Sequence, residues 1–179
     1  MKDFNRTNLS FSLCGLNCEL CPMHLDGHCP GCGGGMGNQS CTIARCSFQH
    51  DKVEYCFHCP EYPCQRYEGV EEHDSFITHQ RQLKDMIKAQ EMGIEAYNAE
   101  QHRKVKILKT LLSDYNSGRR KTFYCVAVNL LPLNDVENVS FRGQTAKEKE
   151  EEIASLFQDI AAQQGVVLKL RKKPAKKSK

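Results

Sequence analysis

Apolar residues follow one rule in the first third of the chain and another in the rest. Across residues 14–68 no periodicity holds. Gly31, Gly33, Gly34, Gly35 and Gly37, with Pro22, Pro30, Pro60 and Pro63, exclude long helices and strands there. After Gly69 the spacing turns helical. Phe76, Ile77, Leu83, Met86 and Ile87 predict a first helix that stops at Gly93. A second, over 95–115, puts Ala96, Tyr97, Val105, Leu108, Leu111 and Leu112 on one face and ends before Asn116 and Gly118. The third, over about 120–131 and including KTFYCVAVNLL, is apolar nearly all round and halts at Pro132, so it reads as the buried central helix. A short turn near 134–141 leads to a last helix over 146–163, opened by a Thr145–Glu148 capping box and closed by Gly165. Val166, Val167, Leu168 and Leu170 fit one short strand.

The predicted fold class is therefore a small metal-stabilised irregular cysteine-rich module plus a mainly α-helical C-terminal part, with about four helices and one candidate short strand. The expected divisions are residues 1–70, a helical part 71–171 packing on them, and a disordered basic tail 172–179.

Composition explains why the first part needs help. The 179 residues are 40% apolar, enough for a core, but residues 14–64 offer few large aliphatics beyond Leu16, Leu20, Leu25, Ile43 and Val53. A stretch that poor in core formers needs a covalent or metal cross-link. It holds ten of the eleven cysteines. No run approaches the roughly 18 apolar residues of a membrane span, and the N-terminal residues lack a secretory apolar segment. The expected location is cytoplasmic, with no membrane association. Thiols stay reduced there, and clustered cysteines more often bind metal than each other. The net charge of +3 owes much to KLRKKPAKKSK at residues 169–179, which holds seven Lys or Arg and no acid.

The cysteines are Cys14, Cys18, Cys21, Cys29, Cys32, Cys41, Cys46, Cys56, Cys59 and Cys64, and three pairs have the two-residue gap: Cys18–Cys21, Cys29–Cys32 and Cys56–Cys59. A tight turn with that gap brings both sulfurs to one ion and lets backbone N–H groups face them. Two such turns complete a tetrahedral four-sulfur shell, which suits zinc. The leading reading is structural Zn2+, two or three ions. An iron–sulfur cluster is the main alternative, followed by disulfides and a redox dithiol. The gaps of three and two residues at Cys14, Cys18 and Cys21 look like the motif of radical S-adenosylmethionine enzymes, but no βα repeats follow to build their barrel. The simplest local pairing groups Cys18, Cys21, Cys29 and Cys32, then Cys41, Cys46, Cys56 and Cys59; interleaved pairings are equally legal. His24, His28, His50 and His58 lie among them, with His28 and His58 the leading candidates for an added nitrogen ligand.

The runs CGLNCELCP, CPGC, CTIARC and EYCFHCPEYPC resemble the cysteine-rich domain-of-unknown-function family numbered 3795 of bacteria and archaea. The resemblance covers roughly 14–68. It implies that Cys14, Cys18, Cys21, Cys32, Cys41, Cys46, Cys56, Cys59 and Cys64 are the motif cysteines, with Cys29 fitting as well, and that they bind zinc. LLSDYNSGRRKTFYCVAVNLLPL looks like the helical extension of some members; a further cysteine-rich ribbon found in others has no counterpart here. The family carries no assigned reaction.

Other signals are weaker. Cys125, among apolar neighbours, reads as an inert buried thiol. Arg119, Arg120 and Lys121 open the third helix and form a candidate anion site, although a solvated helix start is the commoner use. The tail lysines lack interleaved aromatics for stacking on bases. No nucleophile elbow, acid–base pair or phosphate-cradling loop occurs. The sequence favours a non-enzymatic zinc protein that recognises a partner, protein before nucleic acid.

Overall fold

The computed structural model describes residues 3–35, 41–145 and 150–174, the stretch 141–145 by backbone alone. Seven α-helices occur among them: α1 (Pro22–Leu25), α2 (Thr42–Ser47), α3 (Gln82–Met92), α4 (Ile94–Asp114), α5 (Lys121–Leu130), α6 (Leu133–Thr145) and α7 (Glu150–Gln163). No strand forms among the described residues; a single antiparallel bridge joins Phe11 and Asn17. No helix among them is long and apolar enough to cross a membrane.

As the glycines and prolines dictate, the described residues of the first part hold only short turns and short helices. Three single-turn 3-10 segments, Cys18–Leu20, Cys56–His58 and Gln65–Tyr67, accompany α1 and α2. The helical part packs around α5, whose residues Tyr124–Leu130 are all buried. Tyr124, Ala127 and Val128 meet Leu108 and Leu111 of α4, Val136 and Val139 of α6, and Ile153 and Phe157 of α7 in one apolar cluster. Its reach into the cysteine-rich part is direct, because Leu20 belongs to the same cluster. A second cluster joins Phe11 and Tyr55 to Met86, Ala89 and Tyr97 of α3 and α4, with the Phe11 and Tyr97 ring centroids 4.7 Å apart.

Gly93 ends α3 and begins α4 at φ +83. A left-handed corner between two helices is where a residue without Cβ is least strained. At the other end, α7 closes just before Gly165, with the Val166 amide donating to the Ala161 carbonyl at 2.8 Å.

Three expectations change. The first long helix begins at Gln82, and Phe76 is 66% exposed while Ile77 is buried. Asp74 is the reason: its carboxylate accepts the His79 amide at 2.7 Å and the Thr78 hydroxyl at 3.4 Å. Such local side-chain bonds compete with helix hydrogen bonds. The predicted turn near 134–141 is instead helix α6. Pro132 starts it, its carbonyl accepting the amides of Asp135 and Val136, and Val136 and Val139 bury its narrow apolar stripe. The candidate strand Val166–Leu170 is irregular chain without a ladder partner. Gln80 Nε2 holds it by donating to the carbonyls of Val167 and Lys169. The Thr145–Glu148 capping box lies outside the described residues at Glu148, Thr145 being the last residue of α6. Of the basic tail, residues 175–179 lie outside them as well.

Arg171 pins the end of the chain to Asp74. Its amide donates to Asp74 Oδ2 at 2.7 Å, and its guanidinium adds bonds at 3.1 and 2.9 Å. Burial alone would raise the Asp74 pKa, but the hydrogen bonds from Arg171 and His79 outweigh it and hold the carboxyl below its ordinary value. A depressed carboxylate stabilises the fold above its unfolded pKa of about 3.9 and loses that stabilisation as pH falls through the lower, folded value. Asp74→Asn should therefore cost about 1–2 kcal/mol at neutral pH, moderated by the partial solvation of Arg171. The expected readout is faster hydrogen exchange of the Arg171 amide at pH 7. Unchanged protection in that variant would refute the role.

Candidate metal centre

Each cysteine turn is built by its backbone. The Cys21 amide donates to the Cys18 carbonyl at 3.0 Å, closing the first two-residue gap. Pro22 then opens α1, where a missing amide costs nothing. That places the Met23 and His24 amides as hydrogen-bond donors to the Cys21 sulfur. The amides of His28 and Cys29 donate back to the Met23 carbonyl at 2.9 and 3.1 Å, and His24 Nδ1 lies 2.9 Å from the Cys29 carbonyl. The loop so folded returns Cys29 towards Cys21. The Cys32 amide in turn serves the Cys18 sulfur, and the Leu13 amide serves the Cys32 sulfur.

Gly15, inside CGLNC, sits at φ +100. A Cβ there would lie 2.4 Å from Met86 Cγ and 2.7 Å from the Gln82 carbonyl oxygen. The motif glycine thus lets the first cysteine turn lie directly on α3. Gln82 fixes it further, donating to the Cys14 carbonyl at 2.9 Å.

The later cysteines repeat this logic. The Cys59 amide donates to the Cys56 carbonyl at 2.9 Å, and the Cys56 amide donates to the Leu13 carbonyl at 2.9 Å, bringing Cys56 beside Cys14. Tyr67 lies over both, its hydroxyl bonded to the Cys14 carbonyl at 3.4 Å and to the Cys56 sulfur.

The cysteines line two cavities. Cys14, Cys18, Cys21, Cys29, Cys32 and Cys41 line one, with His24 and His28 in its wall. Cys46, Cys56, Cys59 and Cys64 line the other, with His50 and Tyr67. This differs from the simplest local pairing: Cys64, not Cys41, accompanies Cys46, Cys56 and Cys59. Phe4, Leu13 and Ala44 form an apolar wedge against which Cys32, Cys41 and Cys56 pack. His58 stands edge-on to Phe57 and Tyr55.

All eleven cysteines are free of disulfides, and all ten in the candidate set are half-buried. Burial is the main force on their protons. It drives Cys14 far above the ordinary thiol range, assisted by the neighbouring thiols Cys32, Cys41 and Cys56. Cys18 rises to about 12 through burial, with Cys32, Cys21 and Cys29 adding to it. Cys56 rises to about 11 through burial, eased by the Tyr67 hydroxyl and raised by Cys64, Cys46 and Cys59. Cys125, buried on α5, also rises to about 12 through burial, as an inert thiol should.

A buried positive charge is built into this site. The Arg6 side chain is 2% exposed, pairs with Glu54 at 3.3 Å, and donates to the carbonyls of Glu54, Phe11 and Cys32. It also acts on the Cys32 sulfur, although burial still leaves that thiol raised. The chain shows no signal for Arg6 or Tyr67 as members of the site, since both arrive through tertiary folding.

Among the described residues no three His, Cys, Asp or Glu side chains converge at metal-ligand geometry. The donor chemistry nonetheless fits a thiophilic ion: ten half-buried cysteines line two cavities, with backbone amides aimed at Cys18, Cys21 and Cys32. A divalent ion reverses the proton preference set by burial, because it binds thiolate.

The candidate anion site is differently occupied. Arg120 pairs with Glu150 at 3.1 Å and lies over the Phe123 ring, Lys121 pairs with Asp26, and Arg119 is exposed. The carboxylates sit where an anion's charge would be needed.

No protein-family model matches the chain, and no curated protein or solved structure matches it either.

Proposed function

We propose that this is a cytoplasmic zinc protein in which the metal folds residues 14–68 against the helical part, and that the assembled surface recognises a protein partner. The observation that carries the reading is the placing of ten half-buried cysteines in the linings of two cavities, with peptide N–H groups directed at Cys18, Cys21 and Cys32. Amide donors stabilise thiolate without supplying a reactive base, which suits a structural shell. Membership of the cysteine-rich family numbered 3795 is part of the proposal and rests on the motif runs alone.

Recognition is the favoured role because the sulfurs would complete closed shells, which leave no open metal position for a substrate. Phe76, 66% exposed, stands on the wall of the larger cavity and supplies an apolar anchor for a partner. Nucleic acid is the weaker choice, since Arg120 and Lys121 already face carboxylates.

Purification without oxygen followed by elemental analysis tests the metal. Colourless protein holding zinc is expected. A brown protein holding iron and acid-labile sulfide would replace the proposal with the iron–sulfur reading.

A further inference from the structure

We propose that a cleft between α3, α4 and the start of α6 binds a free acidic amino acid, such as glutamate. The cleft is separate from the cysteine cavities, and no cysteine lines it. Its volume of about 690 Å³ falls in the range of small-molecule sites.

Gln101 marks the site. It lines the cleft, is 5% exposed, and its Oε1 has no hydrogen-bond partner among the described residues. A buried acceptor without a donor costs free energy, and such an atom in a native fold calls for a partner. The N–H of a ligand supplies one.

The wall around Gln101 carries both signs of charge. Lys104 is 4% exposed and donates to the Leu131 carbonyl at 2.8 Å and to the Asn129 carbonyl at 3.4 Å. An ammonium has three N–H groups, so one remains for a ligand. Arg81 donates from Nε to Asp85 Oδ1 at 3.3 Å and from Nη1 to the Leu130 carbonyl at 3.4 Å, which leaves Nη2. Asp85 and Glu100 supply the acidic side of the lining. A carboxylate therefore suits Arg81 and Lys104, and an ammonium suits Gln101 Oε1 and the acids. An α-amino acid carries both groups on one carbon.

Charge selects its side chain. Arg81, Lys88, Arg103 and Lys104 outnumber Asp85 and Glu100 in the lining by two. A second carboxylate on the ligand offsets part of that excess. Lys88 and Arg103 are the more exposed cations, paired with Glu100 and Glu137, and they stand where a side-chain carboxylate would reach the rim. Met92, Ala96 and Leu133 offer apolar surface to the methylenes between.

The test is isothermal titration of the full chain as purified with L-glutamate, L-glutamine and glutarate, with nitrogen-15 resonances followed in parallel. Saturable binding of L-glutamate is expected, with a dissociation constant on the order of 1 mM or tighter. Glutarate, which lacks the ammonium, should bind about tenfold more weakly, and the Gln101 side-chain amide should shift on glutamate addition. Gln101→Met keeps the length of the side chain and removes the unpaired oxygen, so without ligand it should be at least as stable as the parent. It should nonetheless lose about tenfold in glutamate affinity while keeping that for glutarate. Arg103→Gln, at an exposed position, should narrow the preference for glutamate over glutamine. Absence of saturable glutamate binding, equal affinity for glutarate or for glutamine, or a Gln101→Met chain that binds glutamate as the parent does would overturn the proposal. None of these outcomes depends on which metal the cysteines hold.

Discussion

Stripping the metal with a strong chelator is expected to unfold residues 14–68 and to leave much of the helical part folded. The energetics are one-sided. A structural zinc ion contributes apparent binding energy on the order of 10–16 kcal/mol at neutral pH, and in small metal modules that energy is folding energy. Whole domains are stable by only about 5–15 kcal/mol. Loss of even one ion therefore rivals everything else that holds the stretch. Apolar support for it is thin: Leu20 reaches the main cluster, Tyr55 joins Phe11 in the second, and Ala44 joins Phe4 and Leu13 in a small third. The helical part has its own core around α5, so most of the far-ultraviolet helical signal should survive. Hydrogen exchange followed by mass spectrometry gives the decisive readout, with protection lost at the Cys21, Cys29 and Cys56 amides and kept across α5. If chelation removes the metal and those amides stay protected, the metal is not what folds this module.

What the chain reveals in advance and what it conceals follow one physical division. The buried helix α5 is legible because KTFYCVAVNLL has no polar face to offer water. The corners at Gly93 and Gly165 are legible because few residues tolerate their backbone. The cysteine turns are legible because a two-residue gap is a local geometry. Helix α6 is hidden because Asn134, Asp135, Glu137, Asn138 and Ser140 crowd a stripe carried by Val136 and Val139. Phe76 misleads because Asp74 captures the His79 amide and stops a helix from forming around it. Which cysteines share a cavity was open in the sequence, since Cys64 reaches Cys46 only through the turns between them. Most concealed is the buried polar joint between the two parts. It is made from Asn17, Asp85, Tyr97, Lys104 and Asn129, residues scattered over more than a hundred positions.

That joint carries the second large prediction. Asn17 lies one residue before Cys18 and is 3% exposed. Its Nδ2 donates to Asp85 Oδ2 at 3.0 Å and to Asn129 Oδ1 at 3.2 Å, and its Oδ1 accepts the Tyr97 hydroxyl at 2.9 Å. One side chain thus ties the first cysteine turn to α3, α4 and α5 together. The surroundings are costly to leave unpaired. Burial raises the Asp85 pKa against the pull of Arg81 and Lys104, and burial lowers Lys104 to about 8 even with Asp85 near it. Lys104 Nζ itself donates to the Leu131 carbonyl at 2.8 Å. Asn17→Ala strands three buried partners at once. At about 1–3 kcal/mol for each unsatisfied group, with partial relief from water, the expected loss is on the order of 3–5 kcal/mol. Tyr97→Phe removes one donor and orphans one acceptor, so it should cost only about 1–2 kcal/mol. Denaturant unfolding of the metal-loaded proteins measures both. The Asn17→Ala chain should also release its metal to a chelator faster, because the turn that presents Cys18 and Cys21 loses its anchor on the helices. Equal stabilities for the two variants, or an Asn17→Ala chain as stable as the parent, would show that the helices hold the cysteine turns by apolar contact alone.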